Sequence, residues 1–167
     1  MTIVPQDPQL FEDTLKNNLD FNHVHQDSAI EAELKNFGLW EKFEKDGGVE
    51  YKIEQNGSNL SQGEKQLVCL IRALLNQNKL ILLDEATANI DVQTEQLIQT
   101  AIKTKFHGST ILMIAHRLDT INECDYILVL DKGTKQEFGE RTKLEKDENS
   151  VFGKMLKKSN ILKEALG

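Results

Sequence analysis

Cysteine is scarce in this chain, and its scarcity limits the chemistry that the sequence can host. The 167 residues include two cysteines, Cys69 and Cys124, which lie far apart in the sequence. Because no cysteine or histidine has the spacing of metal ligands, a Cys/His metal site is not expected. Each cysteine lies among aliphatic residues, which predicts two buried, reduced thiols and disfavours a disulfide.

Long apolar runs and an excess of positive charge are also lacking. The longest apolar runs, Leu80–Leu83 and Ile111–Ala115, are far shorter than the roughly 18 residues that cross a bilayer. The first residues, Met1–Pro8, have neither a basic start nor a long apolar stretch, so no signal peptide is predicted. The formal net charge of -7 gives no indication of a sequence-wide affinity for nucleic acid.

What the sequence does contain is an alternation of short apolar runs and amphipathic stretches, with hydrophobic residues at 39%. The predicted elements, in chain order, are a helix over 26–46 capped by Ser28, a helix from 61 to 75, a strand over 79–84, a helix with Leu97, Ile98, Ala101 and Ile102 inward, strands over 109–115, 126–130 and 135–138, and a helix over 151–166. The strands over 79–84 and 109–115 are predicted to be buried on both faces, and the strand over 126–130 is predicted to be a third buried strand. This alternation predicts an α/β fold with a mainly parallel sheet and flanking helices.

The strongest helix signal opens at the segment Leu60–Gln66. Ser61 is a favourable N-cap, and Glu64 completes a capping box three residues later. Gly63 lets another molecule approach the backbone closely, and the free N–H groups of such a helix start favour an anion. The segment therefore predicts either an anion-binding helix start or a well-capped helix that binds no ligand.

Polar residues follow two of the buried strands. One strand ends at Asp84 and Glu85, where two acids suit a Mg²⁺ ion beside a general base. Solvated charges at the end of a strand are the alternative explanation. The next strand ends in His116, which by itself is better explained as structural, and Gln6 after Pro5 indicates no function by itself.

The order and spacing of these segments closely resemble those of the ABC ATPases. The segments that resemble the Q-loop, signature, Walker B strand with its following acid, D-loop and H-loop of that family are Val4–Pro8, Leu60–Glu64, Leu80–Asp84 with Glu85, Ala88–Asp91, and His116. The resemblance covers nearly the whole chain. The segments Pro5–Phe11, Asn17–Asp20 and Gln66–Leu70 further resemble the second ATPase domain of the subfamily C exporters, the multidrug-resistance-associated group.

The resemblance implies a P-loop NTPase-like fold with a helical subdomain, and ATP and Mg²⁺ as cofactors. Asp84 would hold Mg²⁺ largely through water, and Glu85 would orient or deprotonate the attacking water. His116 would contact the γ-phosphate, and Gln6 would sense the metal and the γ-phosphate. Catalysis would then depend on placement and charge neutralisation.

The resemblance also implies two kinds of partner. Two ATPase domains would meet head to tail, each signature contacting the ATP held by the other, with Asp91 at the interface. The signature residues implied in this contact are Ser61, Gln62, Gly63 and Glu64. The region Asp27–Phe43 would contact the transmembrane domains of a transporter, at the cytoplasmic face of a membrane, and no nucleic-acid partner is expected.

The sequence departs from the family pattern in three places. No Gly-x-x-x-x-Gly-Lys-Ser/Thr phosphate loop occurs in the 167 residues, and Gly153-Lys154 lacks the other glycines. We therefore expect the C-terminal part of an ABC ATPase domain, which in isolation binds Mg-ATP poorly and does not turn over. In the signature, Gln62 replaces a glycine and Glu64 replaces the usual glutamine. A carboxylate there is expected either to weaken phosphate binding or to turn inward.

The expected organisation is a Q-loop segment over 1–12, a helical subdomain and linker over 13–59, a core with the signature, Walker B, D-loop and H-loop over 60–148, and a C-terminal helix over 149–167. Two other functions remain open. One is a non-hydrolytic module that caps ATP on another ABC domain. The other is a lobe of a chromosome or DNA-repair ATPase, which the absence of a heptad run before the signature disfavours.

Overall fold

The computed structural model describes the backbone of residues 1–84, 90–115, 121 and 124–166, with side chains through residue 158. The chain divides into two compact units, Met1–Ile114 and Ala115–Gly167. Within the described residues, no helix combines the length and the apolar character that crossing a membrane requires. The finer division predicted from the sequence stays a prediction.

The first unit combines a small parallel sheet with a group of helices. Its strands are β1 (Thr2–Val4), β2 (Asp13–Thr14), β3 (Lys52–Ile53), β4 (Leu80–Asp84) and β5 (Thr110–Ile114). Its helices are α1 (Leu15–Leu19), α2 (Asp27–Asn36), α3 (Trp40–Glu44), α4 (Gln62–Leu75) and α5 (Val92–Lys105), with 3₁₀ turns at Gly48–Glu50 and Gln55–Gly57. This order confirms the predicted α/β fold with flanking helices.

The parallel sheet has the strand order β1-β4-β5. Val4 pairs with Leu83, and Asp84 pairs with Ile114, so the three strands end at the same edge of the sheet. The short strands β2 and β3 form a separate antiparallel pair. The predicted parallel sheet is therefore confirmed, and the carboxyl ends of its strands lie side by side.

The prediction that β4 and β5 are buried on both faces is wrong. Ile81 and Leu83 are 1% exposed and belong to the core cluster that includes residues of α4 and α5. On the opposite face, Leu112 and Ile114 are 54% and 56% exposed, and Ile3 of β1 is similarly open. Because side chains alternate between the faces of a strand, this pattern shows that the helices of the first unit cover one face of the sheet.

Helix α4 lies at the centre of the first unit. Leu67, Val68, Leu70 and Ile71 are at most 3% exposed, and α4 contacts α1, α2, α5 and β1. Burial at neighbouring positions means that the helix is enclosed on more than the single apolar face predicted from its periodicity. Arg72 Nε donates a 2.6 Å hydrogen bond to a carbonyl at the end of α1, which fastens α1 to α4.

The helix predicted over residues 26–46 is interrupted. Gly38 has a φ of +67°, and it separates α2 from α3. Glycine adopts this left-handed conformation without strain, which is why helices commonly end there. Ser28, predicted to cap the helix, lies inside α2, and the N-cap residue Gln26 makes no side-chain capping bond.

Leu97 and Cys124, both predicted to be buried, are partly open to solvent. Leu97 of α5 is 39% exposed, whereas Ile98 and Ala101 are buried. Successive helical side chains point about 100° apart, so the narrow stripe that α5 buries excludes Leu97. Cys69 is buried, and burial raises the pKa of its thiol, but Cys124 is only partly buried.

The second unit is a β-hairpin with two helices. Its elements are β6 (Tyr126–Asp131), β7 (Thr134–Glu140), α6 (Arg141–Lys146) and α7 (Val151–Leu166). Lys132 and Gly133, with φ of +49° and +75°, form the tight turn between the antiparallel strands. The predicted antiparallel partner strand and the predicted tail helix are both confirmed.

The strand β6 differs from its prediction as a third buried strand. Among the described residues it pairs with β7, and it buries one face: Ile127 is 7% exposed, whereas Tyr126 and Leu128 are 58% and 47% exposed. Tyr126 stacks on Phe138 across the hairpin, with ring centroids 5.8 Å apart. The hairpin therefore has an inner face and an open aromatic face.

Candidate functional site

The start of α4 is closed by a reciprocal pair of hydrogen bonds. The hydroxyl of Ser61 accepts a bond from the Glu64 N–H (3.3 Å), and Glu64 Oε2 accepts one from the Ser61 N–H (2.7 Å). This confirms the predicted capping box. Ser61 is exposed and Gln62 partly so.

The Glu64 carboxylate has a second partner, in α3. Lys42 Nζ lies 2.8 Å from Oε1 and 2.7 Å from Oε2 of Glu64. Burial by itself raises the pKa of Glu64, but the hydrogen bonds from Lys42 and from the N–H and hydroxyl of Ser61, with the Lys42 charge, outweigh it and the net pKa is lowered. Glu64 is therefore held as a carboxylate and directed toward α3.

The signature glycine packs against the start of α5. Gly63 is buried, and a Cβ added there would lie 3.1 Å from Cγ2 and 3.2 Å from Oγ1 of Thr94. Thr94 is itself held by Asp91, whose two carboxylate oxygens accept bonds from the Thr94 N–H (2.9 Å) and hydroxyl (2.7 Å). The Thr94 hydroxyl bond, followed by its backbone bond, lowers the pKa of Asp91. Because Gly63 has no side chain, Thr94 of the same chain can pack directly against the start of α4. This contact connects Gly63 to Asp91 through Thr94.

A buried glutamine connects α4 to the segment after β1. Gln66 is 1% exposed, and its Nε2 donates to the carbonyl oxygens of Pro5 (3.1 Å) and Gln6 (2.8 Å). Gln66 Oε1 is buried without a partner among the described residues. Gln6 itself is exposed. Its backbone is therefore fixed by the helix that begins at the signature.

The edge of the parallel sheet brings two of the predicted residues together. Gln6 follows β1 by two residues, and Asp84 is the last residue of the neighbouring β4. Asp84 is exposed, and no hydrogen bond or ion pair of its carboxylate occurs in the described part of the chain. Glu85 and His116, the other predicted hydrolytic residues, lie outside the described residues.

The described donor set is compatible with Mg²⁺ and phosphate. Mg²⁺ prefers oxygen ligands and in nucleotide sites is held by one or two carboxylates together with phosphates and water. Asp84 offers an uncommitted carboxylate, and Gln6 an amide oxygen on the neighbouring strand end. No group of three or more His, Cys, Asp or Glu in the described ranges could hold a metal by protein ligands alone.

Three residues of this site were not identified from the sequence. Gln66 left a signal, because a polar residue opens the buried stripe of α4, and Thr94 left another, because it follows Asp91 by the three residues of a side-chain cap. Lys42 left none, since it is 22 positions from Glu64 and only the fold brings the two together.

Comparison with known proteins identifies the family to which this chain is similar. The model of the ABC transporter family matches residues 1–88. Bile pigment transporter 1 of Saccharomyces cerevisiae is 45% identical over 98% of this chain, and human ATP-binding cassette sub-family C member 4 is 43% identical over 93% of it. The chain spans 12% of the length of each of these curated relatives.

A solved structure agrees with the sequence relatives. The structure of a bacterial Atm1-family ABC exporter with ATP bound superposes on 95% of this chain with a TM-score of 0.81 and 32% identity, and the chain covers 28% of that exporter. The predicted resemblance to subfamily C exporters is confirmed by relatives that are 40 to 47% identical over most of the chain. The chain belongs to the ABC transporter family, among the relatives of the subfamily C exporters.

Proposed function

We propose that this chain is an ATP-binding and ATP-hydrolysing module that powers export, acting with transmembrane domains at the cytoplasmic face of a membrane. The observation that carries the proposal is the common edge of the parallel sheet. There the segment of Gln6 and the exposed Asp84 end neighbouring strands, and Gln66 fastens that segment to the helix of the signature. Family membership supports ATP as the ligand.

The proposed roles follow from the positions along this edge. Asp84 and Gln6 would hold Mg²⁺, which when bound supplies positive charge to the phosphates. Glu85 follows Asp84 directly in the sequence, and it would orient or deprotonate the attacking water. His116 comes two residues after Ile114, which pairs with Asp84, and it would stabilise charge on the γ-phosphate.

The start of α4 would serve a second nucleotide. Ser61 is exposed at a helix start, and such a start attracts phosphate. We propose that Ser61, Gln62, Gly63 and Glu64 form the surface that caps ATP held by a second ABC ATPase domain in a head-to-tail pair. Asp91, joined to Gly63 through Thr94, would lie at that interface.

The test uses the native gene product that contains residues 1–167. Glu85→Gln should reduce ATP hydrolysis by at least about a hundredfold, since placing the attacking water supplies several kcal/mol, while ATP binding persists. The measurement is phosphate release beside equilibrium binding of labelled ATP. Glu44→Gln, at an exposed position of α3, is the matched control and should retain the wild-type rate. Hydrolysis at the wild-type rate by Glu85→Gln would contradict the proposal.

A second candidate is a module that caps ATP on another ABC domain without hydrolysing it. The observation that favours it is that the start of α4 is fully formed by residues of this chain, whereas the 167 residues contain no phosphate-loop pattern. The two candidates differ in the response to Glu85→Gln, which would be silent for a purely capping module. Purified residues 1–167 should bind Mg-ATP weakly and release no phosphate; turnover that Glu85→Gln abolishes would refute this expectation.

A further inference from the structure

The ion pair between α3 and α4 joins residues that are distant in the sequence. Lys42 Nζ contacts both oxygens of the Glu64 carboxylate, and the two residues are 22 positions apart. Several other pairs, such as Lys35–Glu31 and Arg141–Glu145, join residues one turn apart on a helix. The side chains of Lys42 and Glu64 are 38% and 23% exposed, so the pair is partly shielded from water.

The position of Glu64 creates an electrostatic conflict. Its carboxylate lies in the first turn of α4, where the N–H groups and the helix dipole favour an anion. A phosphate that approached Ser61 would meet this negative charge within the same turn. The Lys42 ammonium brings the formal charge of the pair to zero, so the helix start keeps its attraction for an anion.

The same contact also orients the cap. Glu64 Oε2 accepts from both Lys42 Nζ and the Ser61 N–H, each at 2.7 Å. The bond that the Ser61 hydroxyl accepts from the Glu64 N–H is longer, at 3.3 Å. Lys42 thus holds the carboxylate on the backbone of Ser61 and toward α3.

We propose that Lys42 is a positioning residue for the nucleotide-capping surface, and that its ammonium neutralises and orients Glu64 so that Ser61 can receive the phosphate of ATP. This inference rests on the proposed capping function of the α4 start. It accounts for the carboxylate in the signature: Glu64 closes the helix, and α3 supplies the charge that makes the carboxylate compatible with phosphate. It also makes the capping surface depend on the position of α3.

The test compares four forms of the native gene product that contains residues 1–167: wild type, Lys42→Met, Glu64→Gln, and the double variant. ATP hydrolysis is measured over a range of ATP concentrations. Lys42→Met should raise the KM for ATP by about fivefold to tenfold, with a smaller change in kcat, because the unpaired carboxylate then repels phosphate. The double variant should return to within about twofold of Glu64→Gln.

A matched control separates this role from loss of a structural ion pair. Lys105 pairs with Glu33 and joins α5 to α2, with side chains 29% and 26% exposed. Lys105→Met removes a comparable pair and should lower thermal stability without changing the KM for ATP. A KM of Lys42→Met equal to that of Lys105→Met, or a raised KM that persists in the double variant, would overturn the proposal.

Ser61→Ala distinguishes failure of this inference from failure of the proposed function. If Ser61→Ala impairs the ATP dependence while Lys42→Met does not, the capping function stands and the role of Lys42 is refuted. If Ser61→Ala leaves the ATP dependence unchanged, the capping function itself is refuted, and the inference with it. Impairment by both, with recovery in the double variant, supports both.

Discussion

The start of α4 and the edge of the parallel sheet are both predicted to contact ATP, yet they are built differently. At the start of α4, Ser61, Glu64 and Lys42 satisfy one another through three hydrogen bonds of 2.7 to 2.8 Å. At the edge of the sheet, Asp84 ends β4 with an exposed carboxylate that no bond holds among the described residues. The start of α4 is therefore held by hydrogen bonds within the chain, whereas the Asp84 carboxylate at the edge of the sheet has no bonded partner among the described residues.

This difference indicates two ways of binding the same ligand. A helix start that is already capped presents a fixed surface and loses little conformational entropy when phosphate arrives. An uncommitted carboxylate retains its full negative charge for a metal ion. Substitutions at the sheet edge should therefore alter activity with little change in stability, and substitutions around the start of α4 should alter stability as well.

The largest expected effect belongs to the sheet edge. Asp84→Asn should reduce ATP hydrolysis by the native gene product at least about a hundredfold, because metal binding supplies several kcal/mol to phosphoryl transfer. Because the Asp84 carboxylate makes no hydrogen bond or ion pair with the described residues, the unfolding midpoint of the purified chain in urea should stay within experimental error. Asp46→Asn, at another exposed aspartate, should change neither quantity. A large loss of stability in Asp84→Asn would break the contrast.

The second largest effect is expected for Gly63, and it tests whether contact with Thr94 is the reason for a glycine at this position. Gly63→Ala should destabilise the purified chain by about 1–3 kcal/mol, since the added Cβ overpacks Thr94. In a Thr94→Ala background the clash disappears, and the same substitution should become neutral or stabilising by up to about 1 kcal/mol through helix propensity. Urea unfolding of the four variants measures this coupling. A cost that is equal in both backgrounds would show that Thr94 is not the constraint.

The third largest effect is expected for Gln66, which connects α4 to the segment after β1. Gln66→Met keeps the side-chain volume but leaves the carbonyl oxygens of Pro5 and Gln6 without their donor, so it should cost about 1–3 kcal/mol. Gln96→Met is the control, because Gln96 is exposed on α5, and it should cost under about 0.5 kcal/mol. Equal costs would mean that Gln66 does not join the regions.

The sequence predicted those features that depend on local order. The capping box needed only Ser61 and Glu64, three residues apart, and the parallel sheet needed only the alternation of strands and helices. Both are confirmed, because the capping box joins residues that are close in sequence and the strand–helix alternation repeats along the chain. The roles of Glu85 and His116 were inferred from family resemblance and stay predictions.

The errors concern features that depend on what packs against an element. The apolar sequence of β5 predicts that Leu112 is buried, but Leu112 is exposed. Hydrophobic periodicity does not indicate whether other elements cover both faces of a sheet. The pairing of Lys42 with Glu64 and the contact of Gly63 with Thr94 join segments that are distant in sequence. Such contacts depend on the fold and carry little or no local signal.

The smallest expected effect concerns the pH dependence of the cap. The pKa of Glu64 is lowered from its usual value of 4.5 in the folded chain. Its carboxylate therefore contributes stability that is fully present above that value and is lost as the pH falls through the lower folded-state pKa. At pH 7, Glu64→Gln should be less stable than wild type by about 0.5–1 kcal/mol, the range of a partly exposed ion pair and cap. Urea unfolding of both proteins from pH 7 to pH 3 should show this gap closing on the acid side, and a gap that widens with acid would mean that Glu64 is not held as a carboxylate.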